Sequence, residues 1–333
     1  MQPTRDPRFT TSRARRRLLL AALLAPALPL HAAPYAADGP ALPRAGALKS
    51  NLLDLVFAGP RLVAVGERGH VLLSDDQGKT WRQAKAVPTR TTLTAVHAVD
   101  ARTLVAAGHG GVVLRSSDAG ETWTVATGKA DGADVLLAIR VEPSGFGLAV
   151  GGFGVALSTT DGGQSWKGGV LVDGEAGEKH LNRIVASRSG AWLVAAEGGL
   201  VMRSPRPAEG GWAAVKTPYA GSLWTGVQLP GGALVLGGMR GNVVRSADDG
   251  QTWTHHASPE AGSLTGAAVL PDGRPVLVGV DGTLLVGDAQ GASFRLRRLE
   301  DRATLTATVA LPGGGLVATT GSGPRRIEVP AQG

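Results

Sequence analysis

Acidic residues that could do chemistry recur at one position of a repeated octapeptide, Ser/Thr-x-Asp-x-Gly-x-Thr/Ser-Trp. Its Asp, Gly and Trp positions are Asp76, Gly78 and Trp81; Asp118, Gly120 and Trp123; Asp161, Gly163 and Trp166; and Asp248, Gly250 and Trp253. In such a turn the carboxylate accepts backbone N–H groups, the Gly takes an unusual backbone angle, and the Trp packs over the hairpin. One active site does not need this device four times, so we interpret these boxes as structural rather than catalytic.

Three other carboxylates, Glu67, Glu197 and Asp281, could supply the acid pair of a glycoside hydrolase. Asp-boxes also occur in sialidases, which need an arginine triad and a Tyr nucleophile. The chain has two tyrosines, Tyr35 and Tyr219, and no Arg-Ile-Pro motif near the start of the repeats. The sequence therefore favours a protein that is not an enzyme, and a sialidase-like glycoside hydrolase stays open as the alternative.

Metal and cofactor sites find little support in the sequence. The chain has no cysteine, which excludes thiolate ligands and disulfides. His109, His180 and the His255–His256 pair do not have metal-ligand spacing with nearby acids. We expect no metal and no cofactor.

The chain repeats with a period typical of propeller blades. The residues at the Trp position are 81, 123, 166, 212, 253 and 294, separated by 42, 43, 46, 41 and 41 residues. Two copies are degraded: the one ending at Trp212 lacks the Asp, and the one ending at Phe294 lacks the Trp. A glycine recurs five residues before the first position of each box, at Gly69, Gly111, Gly154, Gly199, Gly241 and Gly282. The corresponding glycine of a seventh, partial repeat is Gly323.

These repeats predict an all-β, seven-bladed β-propeller over residues 51–330, with four-stranded antiparallel blades. The seventh repeat lacks its outer strand. We expect the N-terminal closing segment, residues 33–50, to close the ring, with Pro40–Ser50 supplying that outer strand.

Residues 1–32 have the pattern of an export signal peptide that is removed. The basic run Arg15–Arg17 precedes the apolar run Leu18–Leu30, and small residues follow at Ala32 and Ala33. Sec and twin-arginine export both fit, so the sequence predicts a periplasmic or secreted protein without stable membrane insertion after signal removal.

Nucleic-acid binding is disfavoured by where the positive charge lies. Six arginines (Arg5, Arg8, Arg13, Arg15, Arg16 and Arg17) and one acid precede the first apolar run, and without them the net charge falls from +7 to +2. This remainder is too small for a nucleic-acid footprint.

The chain resembles the photosystem II stability/assembly factor family. The Asp-boxes, the turns Val65–Gly69 and Val150–Gly154, and seven repeats behind an export signal carry the resemblance over about residues 40–330. The resemblance implies an exported, non-enzymatic seven-bladed propeller; in photosynthetic members it engages a reaction-centre subunit, and a non-photosynthetic bacterial branch exists.

The turns between the second and third strands of each blade vary in charge and size, whereas the boxes repeat. The varying residues, which we expect to ring the channel mouth and bind a partner, are Glu67, Arg68, His109, Phe153, Glu197, Met239, Arg240 and Asp281. The sequence thus predicts a monomeric scaffold or assembly factor that binds a protein of a membrane or envelope complex. A carbohydrate- or ligand-binding propeller is the further alternative.

Overall fold

The computed structural model describes residues 39–126, 134–256, 258–259 and 262–329. The predicted signal peptide, residues 1–32, and the first part of the closing segment lie outside these ranges. The described chain forms seven antiparallel sheets arranged in sequence order, so the predicted seven-bladed β-propeller is confirmed.

Six blades have four strands each. The strands are β1 (Leu52–Ala58), β2 (Arg61–Gly66), β3 (Val71–Ser74) and β4 (Arg82–Gln83) in blade 1; β5 (Leu93–Ala98), β6 (Leu104–Gly108), β7 (Val113–Ser116) and β8 (Thr124–Val125) in blade 2; β9 (Leu136–Val141), β10 (Gly147–Gly151), β11 (Ala156–Thr159) and β12 (Lys167–Gly169) in blade 3; β13 (Leu181–Ala186), β14 (Trp192–Ala196), β15 (Leu200–Ser204) and β16 (Ala213–Lys216) in blade 4; β17 (Leu223–Gln228), β18 (Leu234–Gly238), β19 (Val243–Ser246) and β20 (Thr254–His256) in blade 5; and β21 (Leu264–Val269), β22 (Pro275–Gly279), β23 (Thr283–Gly287) and β24 (Phe294–Arg298) in blade 6.

Blade 7 has three strands, β25 (Leu305–Ala310), β26 (Leu316–Thr320) and β27 (Gly323–Ile327). Strand two of every blade is a buried, mostly apolar run such as Leu62–Val65, and strand three is mostly buried in blades 1 to 6, because each sheet is covered by a neighbouring blade on both faces. The outer strands of the six four-stranded blades are short and mostly exposed.

The core consists of layers between successive blades. Trp123 of blade 2, 4% exposed, packs with Val63 and Leu73 of blade 1, and Trp166 and Trp253 lie in the same way in later layers. Each box Trp therefore stabilises a joint between two blades, not only its own hairpin.

The predicted outer strand of blade 7 is not observed for the described part of the N-terminal segment. Ala45–Lys49 form a 3-10 helix against β27. The residues before it run along blade 1, where the amide of Ala41 donates to the carbonyl of Val87 at 2.8 Å. Prolines at 40 and 43 leave few amides for a ladder. The 3-10 helix instead lies beside the last turn of blade 7, where the carbonyl of Leu48 is close to Gly323 as that of Thr89 is close to Gly69.

The joint between blades 7 and 1 nevertheless repeats contacts found at other joints. The hydroxyl of Thr306 donates to the carbonyl of Leu52 at 2.6 Å, as Thr265 of blade 6 does to Leu305 of blade 7. The box glycine Gly78 lies so close to Val317 of blade 7 that an added Cβ would be 2.8 Å from its side chain. The ring is closed by the same contacts that fix its other blades.

Within the described ranges, no helix is long and apolar enough to cross a membrane.

Candidate protein-binding surface

The turns between the second and third strands of blades 1 to 6 share one conformation. In blade 1 the amide of His70 donates to the carbonyl of Glu67 at 3.0 Å, and Arg68 and Gly69 both have positive φ, 54° and 69°. The turn is fixed from behind, because the amide of Glu67 also donates to Asn51, the residue before β1, at 2.9 Å. The recurring glycine is needed there, because a side chain on Gly69 would collide with the carbonyl of Thr89.

The residue before this glycine is the exposed tip of the turn. It has positive φ without being glycine in four blades: Arg68, Phe153, Arg240 and Asp281 have φ of 54°, 52°, 54° and 57°. A non-glycine residue in this region carries backbone strain of about 1 kcal/mol or more, and such strain concentrates at functional sites. These four side chains are therefore held at the surface against a local preference.

Phe153 is the most exposed large apolar side chain of the described residues, at 75%. Its ring lies 4.6 Å from the ring of His180, measured between centroids, and its amide donates to the Nδ1 of His180 at 3.2 Å. The amide of His180 in turn donates to the carboxylate of Glu197 at 3.3 Å. Phe153 and Glu197 of neighbouring blades are thus brought together through His180, which the sequence analysis considered only as a metal ligand.

The predicted acidic residues lie in different blades and each has a partner. Glu67 accepts from the amide of Asn51 at 3.2 Å. Asp281 is bound by two guanidinium groups, those of Arg298 and Arg302, both at 2.8 Å. Glu67, Glu197 and Asp281 belong to the turns of blades 1, 4 and 6.

A groove of about 490 Å³ lies beside Arg68. It separates the turn of blade 1 from the N-terminal 3-10 helix and is lined by Arg44, Lys49, Glu67 and Arg68 among others. Its three cations have no acidic partner in the described part of the chain. The lining of this groove thus holds three cationic side chains against one carboxylate, that of Glu67.

His109, Met239 and Arg240 occupy the turns of blades 2 and 5. The amide of His109 donates to the carbonyl of Thr92, and that of Met239 to Ser222, both at 3.0 Å. The same anchoring to the residue before the first strand therefore holds in these blades too.

The predicted turn residues lie one strand farther out than the channel wall, which the first strand of each blade forms. Inside the ring, Arg183 of blade 4 reaches Asp54 of blade 1 at 3.4 Å, and Asp54 also accepts the amide of Val96 at 3.1 Å. Burial and the nearby Arg140 and Arg183 lower the pKa of His97 to about 3, so this histidine is neutral. The channel is crossed by an ion pair at this level.

The Asp-box turns lie on the opposite face. The carboxylate of Asp118 accepts the amide of Thr122 at 2.9 Å and its hydroxyl at 2.6 Å, and the indole of Trp123 donates to the carbonyl of Gly120. The hydroxyl and amide of Thr80 hold the pKa of Asp76 down at about 2. All these bonds are local to the turn.

Tyr219, the one tyrosine in the described ranges, donates its hydroxyl to the carbonyl of Met239 at 3.0 Å and stacks on His255. Its phenol is thus engaged in a bond between blades 4 and 5. No group of three or more His, Asp and Glu residues in the described ranges could hold a metal ion.

A set of arginines that the sequence analysis missed links successive blades. Arg115, Arg203 and Arg245 precede the first box position of their blades and donate to a box carbonyl of the next blade at 3.1, 2.8 and 2.7 Å. Arg326 of blade 7 does the same to Gln77 of blade 1 at 3.2 Å. The repeated Arg-Ser dipeptide was the available signal.

The comparisons with known proteins agree with the architecture. No family model and no curated protein matches the chain. Among solved structures, "YCF48 bound to D1 peptide" has a TM-score of 0.69 at 17% identity, covering 85% of this chain and 93% of that one. "YCF48 from Cyanidioschyzon merolae" gives 0.66 at 16%, covering 84% and 96%.

The WD40 β-propeller domain of Doa1 is also similar, with a TM-score of 0.67 at 13% identity, covering 87% of this chain and 95% of that domain. Its score is close to those of the two YCF48 structures. At these identities the likeness is one of fold, and it establishes that the chain folds as a β-propeller.

Proposed function

We propose that this chain is a non-catalytic, exported scaffold that binds a protein partner and helps to assemble or stabilise a membrane or envelope complex. The connection face, defined as the face of the second-to-third-strand turns and the blade-to-blade connections, is the binding surface. Phe153 carries the proposal: an aromatic ring is held 75% exposed on a strained backbone, where a soluble surface would favour a glycine or a polar residue.

The surroundings of Phe153 suit a protein surface. Phe153 beside His180 offers an apolar anchor, and the cationic groove at Arg68 in blade 1 and the strained Arg240 in blade 5 add charged contacts. One structure of similar fold is described as bound to a peptide, which is compatible with this use of a propeller.

The partner test uses intact cells. A Phe153→Ala, Arg68→Ala, Arg240→Ala variant should fold normally and lose the protein that cross-links to the wild type. The variant with Glu67→Gln, Glu197→Gln and Asp281→Asn is the matched control and should keep that protein, because carboxylate chemistry is not required. Retention of the partner by the first variant would refute the assigned surface.

Export and the enzyme alternative have separate tests. Cell fractionation with mass spectrometry should find a periplasmic or secreted chain that has lost about residues 1–32. Hydrolysis of a glycoside by the purified protein, abolished by Glu67→Gln, Glu197→Gln or Asp281→Asn alone, would replace the scaffold proposal with a glycoside hydrolase.

A further inference from the structure

Among the described residues, the seventh blade has an open sheet edge where the other six have a fourth strand. In the described part of the chain, no strand pairs with the outer side of β27, and the N-terminal segment runs along blade 1 instead. We propose that this edge accepts an extended, acidic peptide segment of a partner protein, which adds the missing strand.

The register of β27 determines which backbone groups face outward. Thr320 pairs with Gly323, Ala318 with Arg325 and Leu316 with Ile327. Because bonding alternates along an antiparallel pair, the N–H and C=O groups of Arg326 and Glu328 point away from β26. Pro324 occupies the third outward position, where its missing N–H costs no bond to β26.

The other blades show what fits such an edge. Arg326 corresponds to Arg115 of blade 2, because Arg326 pairs with Val317 and Arg115 with Val105, and both guanidinium groups bind the box of the next blade. In blade 2, Thr124 of the outer strand pairs with Arg115 and its hydroxyl donates to the carbonyl of Arg115 at 3.3 Å. In blade 5, Thr254 contacts Arg245 in the same way at 3.2 Å.

Space and charge at the edge agree with this occupant. A groove of about 620 Å³ lies between Arg326–Val329 and the loop Leu311–Gly315, at the place where other blades have their box turn. The exposed Arg326 and Glu328 both line this groove, and the excess positive charge comes from the outer strand of the adjacent blade 6, whose exposed Arg295 and Arg297 have no acidic partner in the described ranges. A segment with carboxylates would be attracted to this edge, and its main chain would supply most of the binding.

The protein itself supplies a probe. A labelled peptide with the sequence of residues 120–126, Gly-Glu-Thr-Trp-Thr-Val-Ala, contains an outer strand and a carboxylate. Fluorescence anisotropy should show saturable binding to the full protein. Binding should weaken at least tenfold when proline replaces the second threonine of the peptide, and it should weaken when lysine replaces its glutamate and when salt is raised.

The matched protein variants are Glu328→Pro, which removes an outward N–H, and Glu328→Ala, which does not. Glu328→Pro should lose at least tenfold in affinity, and Glu328→Ala should bind within about threefold of the wild type. If Glu328→Pro does not fold, hydrogen exchange on the wild type decides: the amides of Arg326 and Glu328 should exchange more slowly with the peptide present.

Three results would overturn the proposal. The first is absence of saturable binding, as expected if the edge is already filled from within the chain. The second is binding that Glu328→Pro and the proline-containing peptide leave unchanged. The third is a dimer in light scattering that Glu328→Pro dissociates, which would assign the edge to a second copy. None of these results depends on the connection face, so the proposal for the edge of β27 and the proposed function can be refuted independently.

Discussion

The joint between blades 1 and 2 and the joint between blades 3 and 4 differ in the state of one box. At the first joint, the intact box of blade 2 places Gly120 against Val63 and Trp123 in the core. At the second, the degraded box of blade 4 leaves Gly210 and Gly211 in open space. An intact box turn therefore fastens its blade to the preceding one.

Where that fastening is missing, other side chains have taken its place. Phe146 and Trp192 pack with centroids 5.3 Å apart, and the guanidinium of Arg140 lies 5.5 Å from the Trp192 ring. A groove of about 560 Å³ remains beside them, lined in part by the degraded box. Blades 3 and 4 therefore stay packed together without an intact box, but part of their contact surface is lost.

The largest effect should come from the ring at the intact joint. Trp123→Ala should lower the free energy of unfolding by about 3–5 kcal/mol, because it opens a cavity between two blades. Trp212→Ala, at the degraded box, should cost about 1 kcal/mol or less, because Trp212 is only half-buried. Chemical denaturation measures both, and similar losses would contradict the comparison.

Removing the box carboxylate should cost less than removing the ring. Asp118→Ala should lower the free energy of unfolding by about 1–2 kcal/mol, since the amide and hydroxyl of Thr122 lose their acceptor. Partner binding should not change. A variant of unchanged stability that loses its partner would show that the box has a functional role.

Removing an interblade arginine should lower the free energy of unfolding by a smaller amount, because it takes away one hydrogen bond between neighbouring blades. Arg115→Ala should cost about 1 kcal/mol, because the carbonyl of Gly162 in the next box loses a charged donor. Arg102→Ala is the control: this exposed side chain has no ion-pair partner in the described ranges, so denaturation should show little change. If Arg115→Ala and Arg102→Ala lowered the free energy of unfolding equally, the interblade arginines would not stabilise the joints between blades.

Phe153 permits a test of backbone strain. Phe153→Gly and Phe153→Ala both remove the ring, but only glycine takes a φ of 52° without strain. The glycine variant should be about 1 kcal/mol more stable than the alanine variant, while both lose the partner. Thermal unfolding compares the two, and an alanine variant as stable as the glycine variant would argue against strain at this tip.

Acid should weaken the intact boxes selectively. Thr80 and Ser165 bonds lower the pKa values of Asp76 and Asp161 to about 2 from the ordinary 3.8. A depressed carboxyl pKa stabilises the fold above pH 4, and this contribution is lost as pH falls from about 4 through 2. The Asp76→Asn, Asp161→Asn variant should show a flatter decline of stability with acid over that window than the wild type.

The period of the tryptophans and the recurring glycines predicted the blade number, because the same turn conformation must be built in each repeat. The outer strand of blade 7 was assigned wrongly to Pro40–Ser50. Repeat counting shows that a strand is missing, but only the observed bonds of Ala41 and Arg44 with blade 1 show where the segment lies.

The surface was harder to predict than the fold. Variation marked Phe153 and Glu197, but His180 joins them through a contact 27 residues away from Phe153 along the chain. The Asp54–Arg183 pair spans 129 residues and two blades that face each other across the ring. Such contacts depend on the closed ring, so no local pattern reports them.

Position-resolved photo-cross-linking in intact cells can show whether the partner binds the connection face or the box face. A photoreactive residue at Phe153, on the connection face, is compared with one at Gln77, on the box face. One protein partner should be captured from position 153 and not from position 77. Capture of the same partner from position 77 alone would contradict this expectation.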